Sequence, residues 1–227
     1  MFEESIQNTK RYIKVVSTGG FAEKVSEDTE GAVKREWTVP SRGGEPAKSG
    51  VVFEKLYRGI SGYITRATIN DSEYGTSLLV NVESGGEEVT VTMSLDSEFG
   101  QDFLKKAPNI EPSEPVSLNA WNLEDETGKT RRGLSIKQND EKIVDAYTSY
   151  DAETKTRTYN NGYPEPPKGV MTSDKWKLYF MNTRVWLRDY TEENGVLAKF
   201  AGGDTPKDVV VDDFDENEPI DLSEIPF

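Results

Sequence analysis

Polar and apolar residues alternate through the middle of the chain, and the alternation marks strands. A long strand is predicted from Lys55 to Asn70, with Tyr57, Ile60, Ile64 and Ile69 among polar partners and glycines at 59 and 62 able to bend it. Asn70 to Gly75 is a turn cluster. In Ser77 to Val82, residues Leu78, Val80 and Val82 share one face; Ser84 to Glu87 makes a hairpin turn, and Val89, Val91 and Met93 then alternate with threonines. Ser97 to Lys106 reads as a short helix capped by Ser97, with Phe99, Phe103 and Leu104 on one side. Val116 to Leu123 and Gly133 to Gln138 are two further strands, joined by a charged loop.

Three strands, a helix and two strands is the element order of an OB-fold, a five-stranded, partly open barrel. The expected architecture is therefore mainly β: an OB-fold barrel over about residues 50–147, with an N-terminal β extension and a C-terminal aromatic-rich segment. The extension holds two β-like runs, Arg11 to Val16 and Val33 to Val39, which either lengthen the barrel or form a small sheet beside it. Residues 40–50 read as a loop, and 160–167 as a rigid extended one. In 173–200 the spacing of Trp176, Tyr179, Phe180, Trp186, Leu187 and Tyr190 fits a helix, while the aromatic density suits a hairpin equally. Such a segment packs on the barrel by default, and can also cover a bound ligand or form a homodimer interface.

Composition narrows the chemistry. The 227 residues include no cysteine and no histidine, which removes disulfides, thiol nucleophiles, histidine acid–base chemistry and the usual zinc sites. No compact acid constellation outside the C-terminal stretch suggests a magnesium site. The expectation is a protein that is not an enzyme and carries no cofactor. The start, Met1 to Ser5, lacks the regions of a signal peptide, and no apolar run is long enough to span a membrane, so a cytoplasmic protein is expected.

The net charge of −14 is unevenly placed. From Asp204 onward nine acids face one lysine, a net −8, which leaves 26 bases against 32 acids, −6, in residues 1–203. A stretch this acidic cannot bury enough apolar surface to order itself. Its end is nonetheless apolar: Asp221-Leu222-Ser223-Glu224-Ile225-Pro226-Phe227. An aromatic ring beside a carboxylate, behind an acidic run, suits docking into a basic, pocketed partner. This segment resembles the C-terminal tip of the single-stranded DNA-binding proteins of bacteria and their phages, which carry an acidic stretch ending in Ile-Pro-Phe. Bacterial members separate barrel and tip by a long Gly-, Gln- or Pro-rich linker that is missing here, so the T7-type phage proteins are the closer analogy.

The resemblance implies sequence-nonspecific binding of single-stranded DNA in replication, recombination and repair, within a phage-infected bacterial cell. It divides the chain into a DNA-binding region, 1–203, and a disordered acidic tail, 204–227. The tail would recruit polymerase-, helicase- or primase-type enzymes through Asp221, Glu224, Ile225, Pro226 and Phe227. Single strands are held by stacking bases on aromatic rings and lining the backbone with cations. The candidates are Tyr57, Tyr63 and Arg66 on the first barrel strand, Tyr74 in the 1–2 loop and Trp121 on the fourth strand. Lys129, Arg131 and Arg132 in the 4–5 loop and Lys137 on the fifth strand complete the set. Lys34, Arg35 and Trp37 form a further basic–aromatic mix, for which a surface strand is the plainer explanation. The negative charge favours a rival reading, an acidic DNA mimic that occupies a host enzyme's DNA site without binding DNA.

Overall fold

A computed structural model describes residues 10–39, 47–73, 75–124, 126–170 and 172–201. Tyr74 and the whole tip, Asp221, Glu224, Ile225, Pro226 and Phe227, lie outside the described residues.

The chain is mainly β. The described residues begin with the strands β1 (Arg11–Val15), β2 (Phe21–Val25), β3 (Val33–Val39) and β4 (Lys48–Tyr57). The central run follows as β5 (Ile60–Ser72), β6 (Gly75–Ser84), β7 (Glu87–Ser94), α1 (Glu98–Lys106), β8 (Val116–Glu124) and β9 (Thr130–Gln138). After the short β10 (Glu141–Lys142) come a separate hairpin, β11 (Thr148–Asp151) with β12 (Thr156–Tyr159), and the long helix α2 (Ser173–Glu193). The aromatic segment is thus helical over most of its length. No helix among the described residues is long and apolar enough to cross a membrane.

Among the described residues, ten strands form one mixed sheet in the order β10-β9-β8-β5-β6-β7-β1-β2-β4-β3. The start of β5 pairs with β8 through Ile60–Gly62, and the rest, from Tyr63, pairs with β6, with a bulge in that pairing between Ile64 and Arg66. The expected five-stranded barrel is corrected here: the strands form one large mixed sheet that does not close. Closing it would need β7 against β9, yet β1 lies parallel on the free edge of β7, from Arg11 opposite Val89 to Lys14 opposite Thr92. The outer edge of β9 is taken by β10. The predicted strand from Lys55 also divides at Arg58-Gly59 into β4 and β5, and residues 48–50 belong to β4 rather than to a loop.

Inward-facing positions of the central strands build the core as alternation dictates. Leu78, Val80 and Val82 of β6, Val91 and Met93 of β7, Leu118 of β8, and Leu134 and Ile136 of β9 are all buried. Helix α1 begins at Ser97, whose hydroxyl accepts from the Gly100 amide at 3.2 Å, and sets Phe99, Phe103 and Leu104 into that core. Ile13 and Phe21 extend the core under β1 and β2. Beside it, Tyr147 is enclosed by Tyr163, Trp186 and Tyr190, with ring centroids 5.4–6.0 Å away. These contacts seat α2, and Phe200 follows into the core against Phe103.

Candidate nucleic-acid interface

Paired residues on neighbouring strands share a face of the sheet, so register alone shows which side chains stand together. One row on the face opposite the core runs Arg66–Asn81–Thr90–Tyr12 across β5, β6, β7 and β1, with Thr90 and, in the next row, Thr92 buried among their neighbours. The row beside it runs Thr68–Leu79–Thr92–Lys14–Ala22–Leu56, from β5 to β4. Five inter-strand steps make it about 24 Å long. Because β1 sits on β7, the N-terminal strands carry the face of β6 and β7 onward without a break.

At the far end of this face lies Glu54, only 3 % exposed and on the same side of β4 as Leu56. Its carboxylate receives two hydrogen bonds from Arg35 of β3, at 2.9 and 3.0 Å, and pairs with the Lys14 ammonium at 3.0 Å. Burial pushes this carboxyl up, but Arg35 and Lys14 outweigh it and hold it below the ordinary glutamate value. Lys14 must cross β2 to reach β4. The residue opposite it on β2 is Ala22, small and 1 % exposed. Two residues beyond Arg35, Trp37 lies flat on Gly50: a Cβ there would meet the indole at 2.6 Å. Among the described residues, the face thus carries the aromatic side chains Tyr12 and Trp37 and the cations Arg66, Lys14, Lys24 and Arg35, with Glu54 buried between Lys14 and Arg35 and with Glu83 and Glu88 beside Asn81.

The opposite side of β1, β2 and β4 holds a different cluster. Arg11 donates to Glu23 at 2.7 and 2.8 Å and to Glu87 at 2.9 Å, and the Tyr57 hydroxyl donates to Glu23 at 2.6 Å. The Arg11 hydrogen bond is the largest influence on Glu23 and, with Tyr57, lowers its carboxyl despite burial. Burial, and then Glu23, push the Tyr57 phenol up. Tyr57 is therefore engaged in a structural network on the side away from the outward rows.

The remaining candidates fall in two places. Tyr63 stands exposed on β5, opposite Glu83. In the row Ser61–Ser117–Lys137, the lysine is exposed on the same outward face of β5, β8 and β9. Trp121 shares that face but is half-buried, its indole over Gly133, where a Cβ would meet it at 2.6 Å. Lys129 is in the β8–β9 loop; Arg131 and Arg132 open β9 opposite Leu123 and Asn122, on alternate faces. The Asn122 side chain donates to the Ser17 carbonyl at 2.7 Å, so this hairpin adjoins the β1–β2 turn.

The structure brings Tyr63, Trp121 and Lys137 onto one face and sets Arg66 in the neighbouring rows with Tyr12, Lys14, Arg35 and Trp37. Tyr12 and Lys14 escaped the sequence reading. Their signal was the alternation Arg11-Tyr12-Ile13-Lys14-Val15, which puts both on the side opposite buried Ile13. Lys34 points away from this face and pairs with Glu36 at 2.9 Å. No family model, curated protein or solved structure matches this chain.

Proposed function

We propose that this protein is a non-enzymatic, sequence-nonspecific single-stranded DNA-binding protein of replication, recombination or repair. The strand lies across the outward face from β5 to β3, its bases stacked on Tyr12 and Trp37 and its phosphates met by Arg66, Lys14 and Arg35. The observation that carries this reading is the continuity of those side chains on one face. OB-folds bind oligonucleotides on the face of their second and third strands. Four pairings support the comparison: β5–β6, β6–β7, β5–β8 and β8–β9, with α1 between β7 and β8. In this reading the central run is an OB-type unit whose closing edge has been taken over by β1.

The sequence of the tail gives the second half of the proposal. Asp221, Glu224, Ile225, Pro226 and Phe227 recruit partner enzymes, and the −8 stretch competes with DNA for the cationic face. Removal of residues 212–227 then tightens DNA binding and reduces its salt sensitivity at low ionic strength. Equal affinity for the two forms at every salt concentration would rule out competition. The setting implied is the cytoplasm of a phage-infected bacterium.

The net charge of −14 supports one rival, an acidic DNA mimic. Titration with oligo-dT, followed by tryptophan fluorescence with duplex of equal length as control, separates the two. Strong quenching by the single strand, weakened by salt and absent with duplex, is expected. No response to either DNA, with host replication proteins captured in a pull-down, would establish the mimic instead.

A further inference from the structure

Helix α2 is apolar on two opposite sides. One side carries Thr183, Leu187 and Thr191, buried on the body of the protein, beside Trp186 and Tyr190 of the aromatic cluster. The other carries Leu178, Met181 and Val185, exposed by 53, 54 and 53 %. These three succeed one another at steps of three and four residues, which makes a single line along a helix. A surface helix ordinarily buries one stripe and gives the other to polar residues.

The outer line has a second property. Extended at both ends by the same spacing, it reads Asp174, Leu178, Met181, Val185, Arg188. Leu178 lies three residues before Met181 and Val185 four after it; Asp174 and Arg188 lie seven before and seven after. The line is nearly its own reverse, with opposite charges at its ends. A two-fold axis through Met181 would set a second α2 antiparallel on the first, so that Met181 meets Met181, Leu178 meets Val185, and Asp174 meets Arg188 of the other copy. Self-complementarity of this kind is what an isologous interface requires. Arg188 is already held in place by Asp71 at 2.6 Å and Glu192 at 3.3 Å, and its five N–H donors leave some over for a further carboxylate.

We propose that the outer face of α2 is a dimer interface and that its occupant is a second copy of this chain, packed antiparallel about Met181. An interface of one helix pair lies at the small end of specific interfaces, so the dimer dissociates in the range of roughly micromolar. This inference does not depend on DNA binding, and its test reads mass alone.

Sedimentation equilibrium of the full chain, over about 0.1–100 µM, should show a reversible monomer–dimer equilibrium. Met181→Glu puts two like charges together at the axis and should weaken the dimer by about a hundredfold. The side chain is exposed, so circular dichroism and the melting temperature should stay at wild-type values. The chain contains no cysteine, which makes cross-linking a clean second test. Met181→Cys should oxidise to a covalent dimer, whereas Asn182→Cys, about 100° round the helix, should not. A wild-type monomer throughout the range, a dimer indifferent to Met181→Glu, or equal cross-linking by the two cysteine variants would each overturn the proposal. A chain that dimerises only after removal of residues 202–227 would overturn it too, since the acidic segment would then be the occupant.

Discussion

The central strands β5–β9 and the N-terminal strands β1–β4 belong to one sheet but are held by different forces. In the central part the fully enclosed side chains are aliphatic or aromatic, among them Leu78, Val80, Leu118, Leu134, Ile136 and Phe103, and the buried polar residues of its strands, Thr90, Thr92 and Gln138, are uncharged. In the N-terminal part, two of the buried residues are carboxylates, Glu23 at 8 % and Glu54 at 3 % exposure, each clasped by an arginine from a neighbouring strand. The first arrangement draws on burial of apolar area and responds to lost volume. The second depends on charge pairs that remain worthwhile only while both partners are ionised and in place. The seven-residue strand β3, with exposed Val33, is paired with β4 along its whole length, and its Arg35 adds hydrogen bonds to Glu54 across that pair.

The most damaging change should fall in the central part. Phe103→Ala removes a ring from the junction of α1, the sheet and Phe200, and should cost about 3–5 kcal/mol, read as a lowered urea midpoint. A loss below about 1 kcal/mol would break the contrast, because it would mean the core collapses around the gap. Next in size is an effect on binding. Trp37→Ala should weaken oligo-dT binding by about 1–3 kcal/mol, whereas Tyr57→Phe, which touches the other side of the same strands, should leave DNA affinity unchanged. Equal effects of the two substitutions would erase the distinction between the sides.

Smaller still is the expected effect of Glu54→Gln, roughly 1–2 kcal/mol, limited because Lys14 and Arg35 are partly exposed and can be hydrated. The pH dependence follows from the same groups. Glu23 and Glu54 have folded-state values below the ordinary 4.5, so their contribution is fully present above the unfolded value and is lost as pH falls through the folded ones. Amide signals of β2 and β4 should therefore broaden or vanish as pH falls below the ordinary glutamate value while those of β6 and β8 persist. Simultaneous loss in both parts would show that the sheet opens as one unit.

Much of the central part could be read from local pattern. The strands at Ser77–Val82, Val89–Met93 and Val116–Leu123 and the helix capped by Ser97 came out within a few residues of β6, β7, β8 and α1, since period-two alternation and a cap are properties of neighbours along the chain. The hairpin β11–β12 was missed. Thr148 to Tyr159 is mostly exposed and polar, so it offered no apolar period to detect. In the candidate site, Arg66 and Trp37 were visible as residue types, while Tyr12 and Lys14 came into view only once β1 was placed beside β7.

By itself the sequence determined the mainly β character, the order of the central elements, the absence of thiol and imidazole chemistry, and the crowding of negative charge beyond Asp204. Each of these follows from composition or from spacing within a few residues. Only the tertiary structure decided that β1 lies parallel on β7, where it takes the edge that a closed barrel would need. Only it could turn Glu54, polar by every local rule, into a buried anion between Lys14 and Arg35. Edge pairing and the burial of a charge are settled by residues that lie far apart along the chain, and local alternation carries no information about which distant strand will arrive.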